Sequence, residues 1–181
     1  MSDHDSGCRM KWPLLPGVTG DAIFAGDRRE HRLLLMRRWD DLGTRHAGAA
    51  LWIGMNPSGA EADIDDLTIR KEQTWTRMLG LSQYLKMNIG TYRWTDSLTL
   101  PEGGLVHKDN LTMIRAHAST AATIILTTGK PPDVLMSAFE HVRWALKRDG
   151  RKVKCLGPTK DGWPKHSSRV GYSTPMVEFV L

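Results

Sequence analysis

Cysteine is scarce in this chain. Only Cys8 and Cys155 occur in 181 residues, with neither metal-ligand spacing nor a disulfide framework, which argues against a zinc module or a disulfide-stapled secreted scaffold. Long apolar runs are missing as well. Stretches such as Thr123–Thr128 are strand-sized, well short of the ~18 residues of a membrane span. The opening MSDHDSGCRMKWPLLPG is polar and lacks the apolar core of a secretory signal. The seven histidines are scattered along the chain, so no metal site and no cofactor is expected. There is no internal repeat and no low-complexity linker. These absences predict a cytoplasmic, monomeric protein with no membrane segment.

What is present suits one domain. A chain of 181 residues can bury a sizeable core but would be cramped as two domains. The net charge of +5 and pI near 9.4 have the sign that suits phosphate-bearing partners, DNA or a nucleotide. The basic residues gather in two clusters. One holds Arg28, Arg29, Arg32, Arg37 and Arg38; the other runs from Lys147 to Arg169 and includes Lys160 and Lys165. A solvated surface accounts for such runs equally well. Most of the seven tryptophans are assigned to core packing, with one or two left to stack on a base.

Residues 1–20 read as irregular and 21–181 as a single α/β domain. Ala22–Ala25 and His31–Trp39 predict a hairpin turning at Gly26-Asp27-Arg28, with the second strand antiparallel or at an edge. The runs Ala49–Met55, Tyr84–Ile89, Ala122–Thr128 and Lys152–Leu156 predict four parallel strands, the first apolar enough to be covered on both faces. Helices are expected from about Leu67 to Leu79, from Asp109 to Ala118 and from Asp133 to Arg148. Asp66 caps the first, whose inward residues are Ile69, Trp75, Met78 and Leu79. The third should turn Val134, Leu135, Ala138, Val142, Ala145 and Leu146 inward. Met176–Val180 reads as a short terminal strand. The expected architecture is three layers, helices on both faces of a central four-stranded parallel sheet, plus the N-terminal hairpin.

In such folds ligands sit beyond the C-terminal ends of the strands. The segments leaving those ends are Gly54-Met55-Asn56-Pro57-Ser58, Asn88 to Trp94, Thr127 to Lys130, and Gly157 to Arg169. Small, amide, hydroxyl and imidazole groups therefore converge on one rim.

The motifs GMNPSGAEADIDDLTIRK, MNIGTYRWTD and CLGPTKDGWPKHSSRVGYSTPMVEF resemble the prokaryotic and phage domain-of-unknown-function family 1643, from about Gly26 to Phe179. The strand ends are also similar, more remotely, to those of the uracil-DNA glycosylase superfamily. That second resemblance implies a DNA glycosylase-like enzyme acting on a pyrimidine base that can carry a modification. Gly54-Met55-Asn56-Pro57 looks like the motif that positions the attacking water. Asn88 falls where an Asn reads the pyrimidine edge, and His166-Ser167-Ser168 where a loop stabilises the leaving base. Here Ser167 replaces the proline of that loop. No aromatic follows Pro57, so Tyr92 or Trp94 would stack on the base.

The implied catalytic pair is Asn56, holding a water, and His166, stabilising charge on the base. Gly54, Met55, Pro57, Ser58, Asn88, Tyr92, Trp94, Gly129, Ser167 and Ser168 would bind the base and its sugar, with Lys160, Lys165 and Arg169 on phosphate. Each position has a plainer account. Asn before Pro is commonly a turn former, Asn88 could cap its strand, and His166 lies in an exposed loop. Asp63, Asp65 and Asp66 could hold a divalent metal, although a capped helix explains Asp66. Two other functions stay open: a catalytically silent module that binds a base, nucleotide or nucleic acid, and an enzyme of free nucleosides or nucleotides.

Overall fold

The computed structural model describes residues 10–39, 46–94, 100–101 and 103–181. Cys8 and Thr95-Asp96 of the second motif lie outside the described residues. Alternation along one strand sets the layering. Strand β4 (His46–Gly54) sends Leu51 and Ile53 into one buried apolar cluster, and Ala50 and Trp52 into another. Successive side chains on a strand point to opposite faces, so the clusters lie on the two sides of one sheet. Helix α1 (Leu67–Met78) supplies Ile69 and Trp75 to the Trp52 side. Helices α2 (Asn110–Thr120) and α3 (Asp133–Arg148) supply Ile114, Leu135, Phe139 and Val142 to the Ile53 side. The result is an α/β protein with helices on both faces.

The sheet is mixed and seven-stranded, in the order β2 (Val18–Ala25), β3 (His31–Trp39), β6 (Leu81–Asn88), β4, β7 (Thr123–Leu126), β8 (Val153–Cys155), β9 (Val177–Phe179). Strands β6, β4, β7 and β8 pair parallel to one another, while the β2–β3, β3–β6 and β8–β9 pairings are antiparallel. The expected hairpin and terminal strand thus extend the same sheet instead of standing apart. Strand β3 takes the antiparallel alternative and is not an edge, since it pairs antiparallel with β2 on one side and β6 on the other, with Leu33, Leu34 and Leu35 all buried.

The segment read as irregular is partly ordered. Strand β1 (Trp12–Pro13) pairs antiparallel with β5 (Ile64–Asp65), and Val18–Gly20 already belong to β2. Arg70 holds β1 in place, donating to the Pro13 carbonyl at 2.6 Å with its guanidinium over the Trp12 ring. The loop after β4 is fixed by Arg37, whose side chain is fully buried. Arg37 donates to Asp65 at 2.9 Å and to the carbonyls of Met36, Glu61 and Ile64, and Gln73 donates to the other Asp65 oxygen. Asp65 is therefore an ion-pair partner and Asp66 the cap of α1, accepting from the Ile69 N–H at 2.9 Å. Among the described residues no three His, Cys, Asp or Glu gather as a metal site, and no helix is long and apolar enough to cross a membrane. Met78 and Val134 face solvent instead of the core, and Phe139 fills the α3 interface.

Candidate functional site

On the α1 side of the sheet, side chains turn polar toward the C-terminal strand ends. Along β6 the same-face residues run Tyr84, Lys86, Asn88; along β4, Trp52, Gly54; from β7 onward, Ile125, Thr127. All but Gly54 and Ile125 are polar at their tips, and Tyr84, Lys86, Asn88 and Thr127 are buried. A buried polar group must find partners or it destabilises the fold.

Glu72 of α1 answers most of that demand. Its carboxylate is fully buried and accepts from Tyr84 Oη at 2.7 Å, Lys86 Nζ at 2.9 Å, Ser167 Oγ at 2.7 Å and Thr127 Oγ1 at 3.1 Å. Three strands or loops and one helix are thereby tied to one group. Burial and the Glu72 carboxylate push the Tyr84 phenol well above its ordinary value, so it stays a neutral donor.

Gly54 and Asn88 are register partners at the ends of β4 and β6. A Cβ on Gly54 would lie 2.7 Å from Lys86 Nζ and 2.8 Å from Asn88 Oδ1. Only glycine leaves room for both the ammonium and the amide oxygen against the strand end. Asn88 is 2% exposed, and its Nδ2 has no hydrogen-bond partner among the described residues. Its backbone is held from the opposite face, where Asn110 Nδ2 donates to the Asn88 carbonyl at 2.9 Å.

Asn56 sits two residues past β4. Its Nδ2 donates to the Trp94 carbonyl at 2.6 Å and, more weakly, to the Pro57 carbonyl at 3.4 Å. The Trp94 N–H returns to the Pro57 carbonyl at 2.9 Å. Two carbonyl acceptors fix the amide orientation, so the NH2 staples two rim loops and Oδ1 remains as the available acceptor. Ser58 donates to Asp66 Oδ2 at 2.8 Å, and Met55 and Pro57 are buried beneath. Tyr92 and Trp94 are half-buried with rings 6.1 Å apart.

The loop after β8 closes the rim. Gly129, at a left-handed φ of 69°, donates its N–H to the Pro164 carbonyl at 2.9 Å and draws this loop over the end of β7. Ser167 is buried on Glu72, while Ser168, Lys160, Lys165 and Arg169 are exposed. His166 Nδ1 accepts from the Ser168 N–H at 3.2 Å and lies 2.8 Å from Ser168 Oγ. A backbone N–H can only donate, so the proton of the neutral ring rests on Nε2. Burial first, and then the Lys86 cation, push the imidazole from 6.5 to about 4.

The His166 shift carries a pH dependence. Between 6.5 and about 4 the unfolded chain binds this proton and the folded chain does not, so stability falls as pH drops through that window. Thermal melts above and below 6.5 should show this loss in the wild type and a smaller one in His166→Asn, which keeps an acceptor for Ser168. Equal losses would mean that His166 does not set the trend.

Asn56, Asn88 and His166 thus lie along the same C-terminal edge. The basic cluster of β3 behaves differently: Arg32 and Arg37 are buried, leaving Arg28, Arg29 and Arg38 exposed. Glu72, Lys86, Tyr84 and Thr127 were not singled out from the sequence. Their signals were a lysine at period two between Tyr84 and Asn88, and a glutamate on the inner stripe between Ile69 and Trp75. A second cleft of about 360 Å³, lined by Phe139, Arg143, Cys155 and Phe179, borrows Pro158 and Trp163 from the loop after β8 but includes neither Asn56, Asn88, His166 nor any member of the Glu72 cluster.

A family model described as a protein of unknown function, DUF1643, matches residues 32–167. The chain belongs to the DUF1643 family. The matched region begins at buried Arg32, ends at Ser167, and takes in every member of the Glu72 cluster. No curated protein and no solved structure matches the chain. Strands β2 and β9 fall outside the DUF1643 match, so it covers the strand ends and their supporting cluster but not the two outermost strands.

Proposed function

We propose that this rim is the site of a DNA glycosylase-like enzyme that hydrolyses the N-glycosidic bond of a pyrimidine base, on a uracil-DNA glycosylase-like arrangement of four parallel strands. The observation that carries this reading is Asn88: a buried amide at a strand end, with its donor unpartnered and its acceptor held beside Lys86. One donor and one acceptor side by side complement the edge of a pyrimidine. His166, neutral with its proton on Nε2, is a donor for charge gathering on the departing base. Asn56 Oδ1 is an acceptor for a water attacking the sugar. Tyr92 and Trp94 offer ring faces at the lip.

The burial of Arg32 and Arg37 favours a second reading, an enzyme of free nucleosides or nucleotides, since half-empty basic clusters grip a phosphate backbone weakly. Incubation with duplexes bearing uracil, mismatched thymine or modified pyrimidines, alongside free pyrimidine nucleosides, separates the two. Release of base from duplexes supports the first reading, release from nucleosides alone the second, and release from neither opposes both.

Asn56→Ala is expected to slow base release by about 100-fold, the scale of a lost positioning contact. Losing the Trp94 staple should also cost roughly 1 kcal/mol of stability. Melting temperature and base release measured together check this. A destabilised but fully active variant would make Asn56 a staple and nothing more.

A further inference from the structure

Lys86 is the one charged side chain among the same-face residues of β6, and nothing in the reading above requires it. Its Nζ donates to Glu72 at 2.9 Å and to Thr127 at 3.4 Å. An ammonium has three N–H groups, and among the described residues the third has no partner. The pair is also lopsided. Glu72 spreads its charge over three neutral hydroxyls besides Lys86, whereas the ammonium stands beside Gly54 and Asn88 with no further acceptor than Thr127. The negative end is covered within the cluster, and the positive end lies at the C-terminal end of β4, beside Gly54.

We infer that Lys86 is a catalytic residue, the buried cation that stabilises the anionic base as it leaves the sugar. This rests on the glycosylase reading. When the C1′–N bond breaks, its electron pair leaves with the base, and a carbonyl oxygen of the ring gains the charge. A cation 3% exposed acts on that charge with little screening by water.

The test uses 5-fluorouracil as probe, a pyrimidine whose ring ionises readily, with affinity measured below, at and above the pH at which the free base loses its first proton. The charged or titratable groups around Lys86 are Glu72 and Asp66 of α1 and its cap, Tyr84 of β6, Arg32 of β3, and His166 and Arg169 of the last loop. His166, held down to about 4, and Tyr84, pushed up, both remain neutral across the range used. Wild-type affinity is expected to rise by ~10-fold per pH unit up to the ionisation of the base, because only the anion is gripped by the cation. Lys86→Met alone would strand Glu72, so the variant is Lys86→Met with Glu72→Gln, which removes the pair together. It should bind the neutral base without that rise. A wild type that binds with a flat profile, or a double variant that keeps the full rise, overturns the role of Lys86 and leaves the base site standing. Folded wild type that binds no base at any pH removes the base site and Lys86 with it.

Discussion

Glu72→Ala should destabilise the fold by about 3–5 kcal/mol, the usual cost of removing one partner of a buried ion pair. The loss is large because Glu72 is shared. Without it Lys86 is an unpaired buried cation, and Tyr84, Thr127 and Ser167 each lose an acceptor at 2.7–3.1 Å. Against a total stability of about 5–15 kcal/mol for a domain, that shift moves a urea midpoint far, or leaves no folded baseline. Glu72→Gln keeps one carbonyl oxygen and should lose less. The order Ala below Gln below wild type is the check. A Glu72→Ala protein that unfolds at the wild-type midpoint would mean that water reaches the cluster.

Asn88→Ala is expected to do the reverse: little change in folding, and a loss of base release of about 1,000-fold. Nδ2 has no partner among the described residues to lose, and the backbone carbonyl of residue 88 keeps its bond from Asn110. In the proposed function the removed amide reads the base, and losing a buried hydrogen-bonding group of that kind costs specificity and rate together. Urea unfolding and initial rates on the same preparations check both halves. A variant destabilised in proportion to its lost activity would make Asn88 a strand-end brace.

The sequence made the architecture legible where periodicity was strong. The runs at 49–55, 84–89, 122–128 and 152–156 became β4, β6, β7 and β8, and Asp66 caps α1 as its spacing predicted. The place of β3 was not legible. Nothing local distinguishes an edge strand from an interior one when the neighbour that covers it, β6, lies some fifty residues onward. Arg32 and Arg37 looked like surface charge because burying arginine requires acceptors that only the folded loop at 60–65 provides. Asn56, Asn88 and His166 were visible as residue types at strand ends. Glu72 and Lys86 were hidden inside patterns read as apolar, where a single charge is easily passed over.

Base released from a uracil-containing duplex by wild type and by Asn88→Ala, with abasic sites counted on the same strands, tests the central claim most directly. The account predicts free uracil and a matching number of abasic sites with wild type, and almost none with an Asn88→Ala protein of unchanged melting temperature. Equal release by both proteins, or no release by wild type from any pyrimidine duplex or nucleoside, would contradict it.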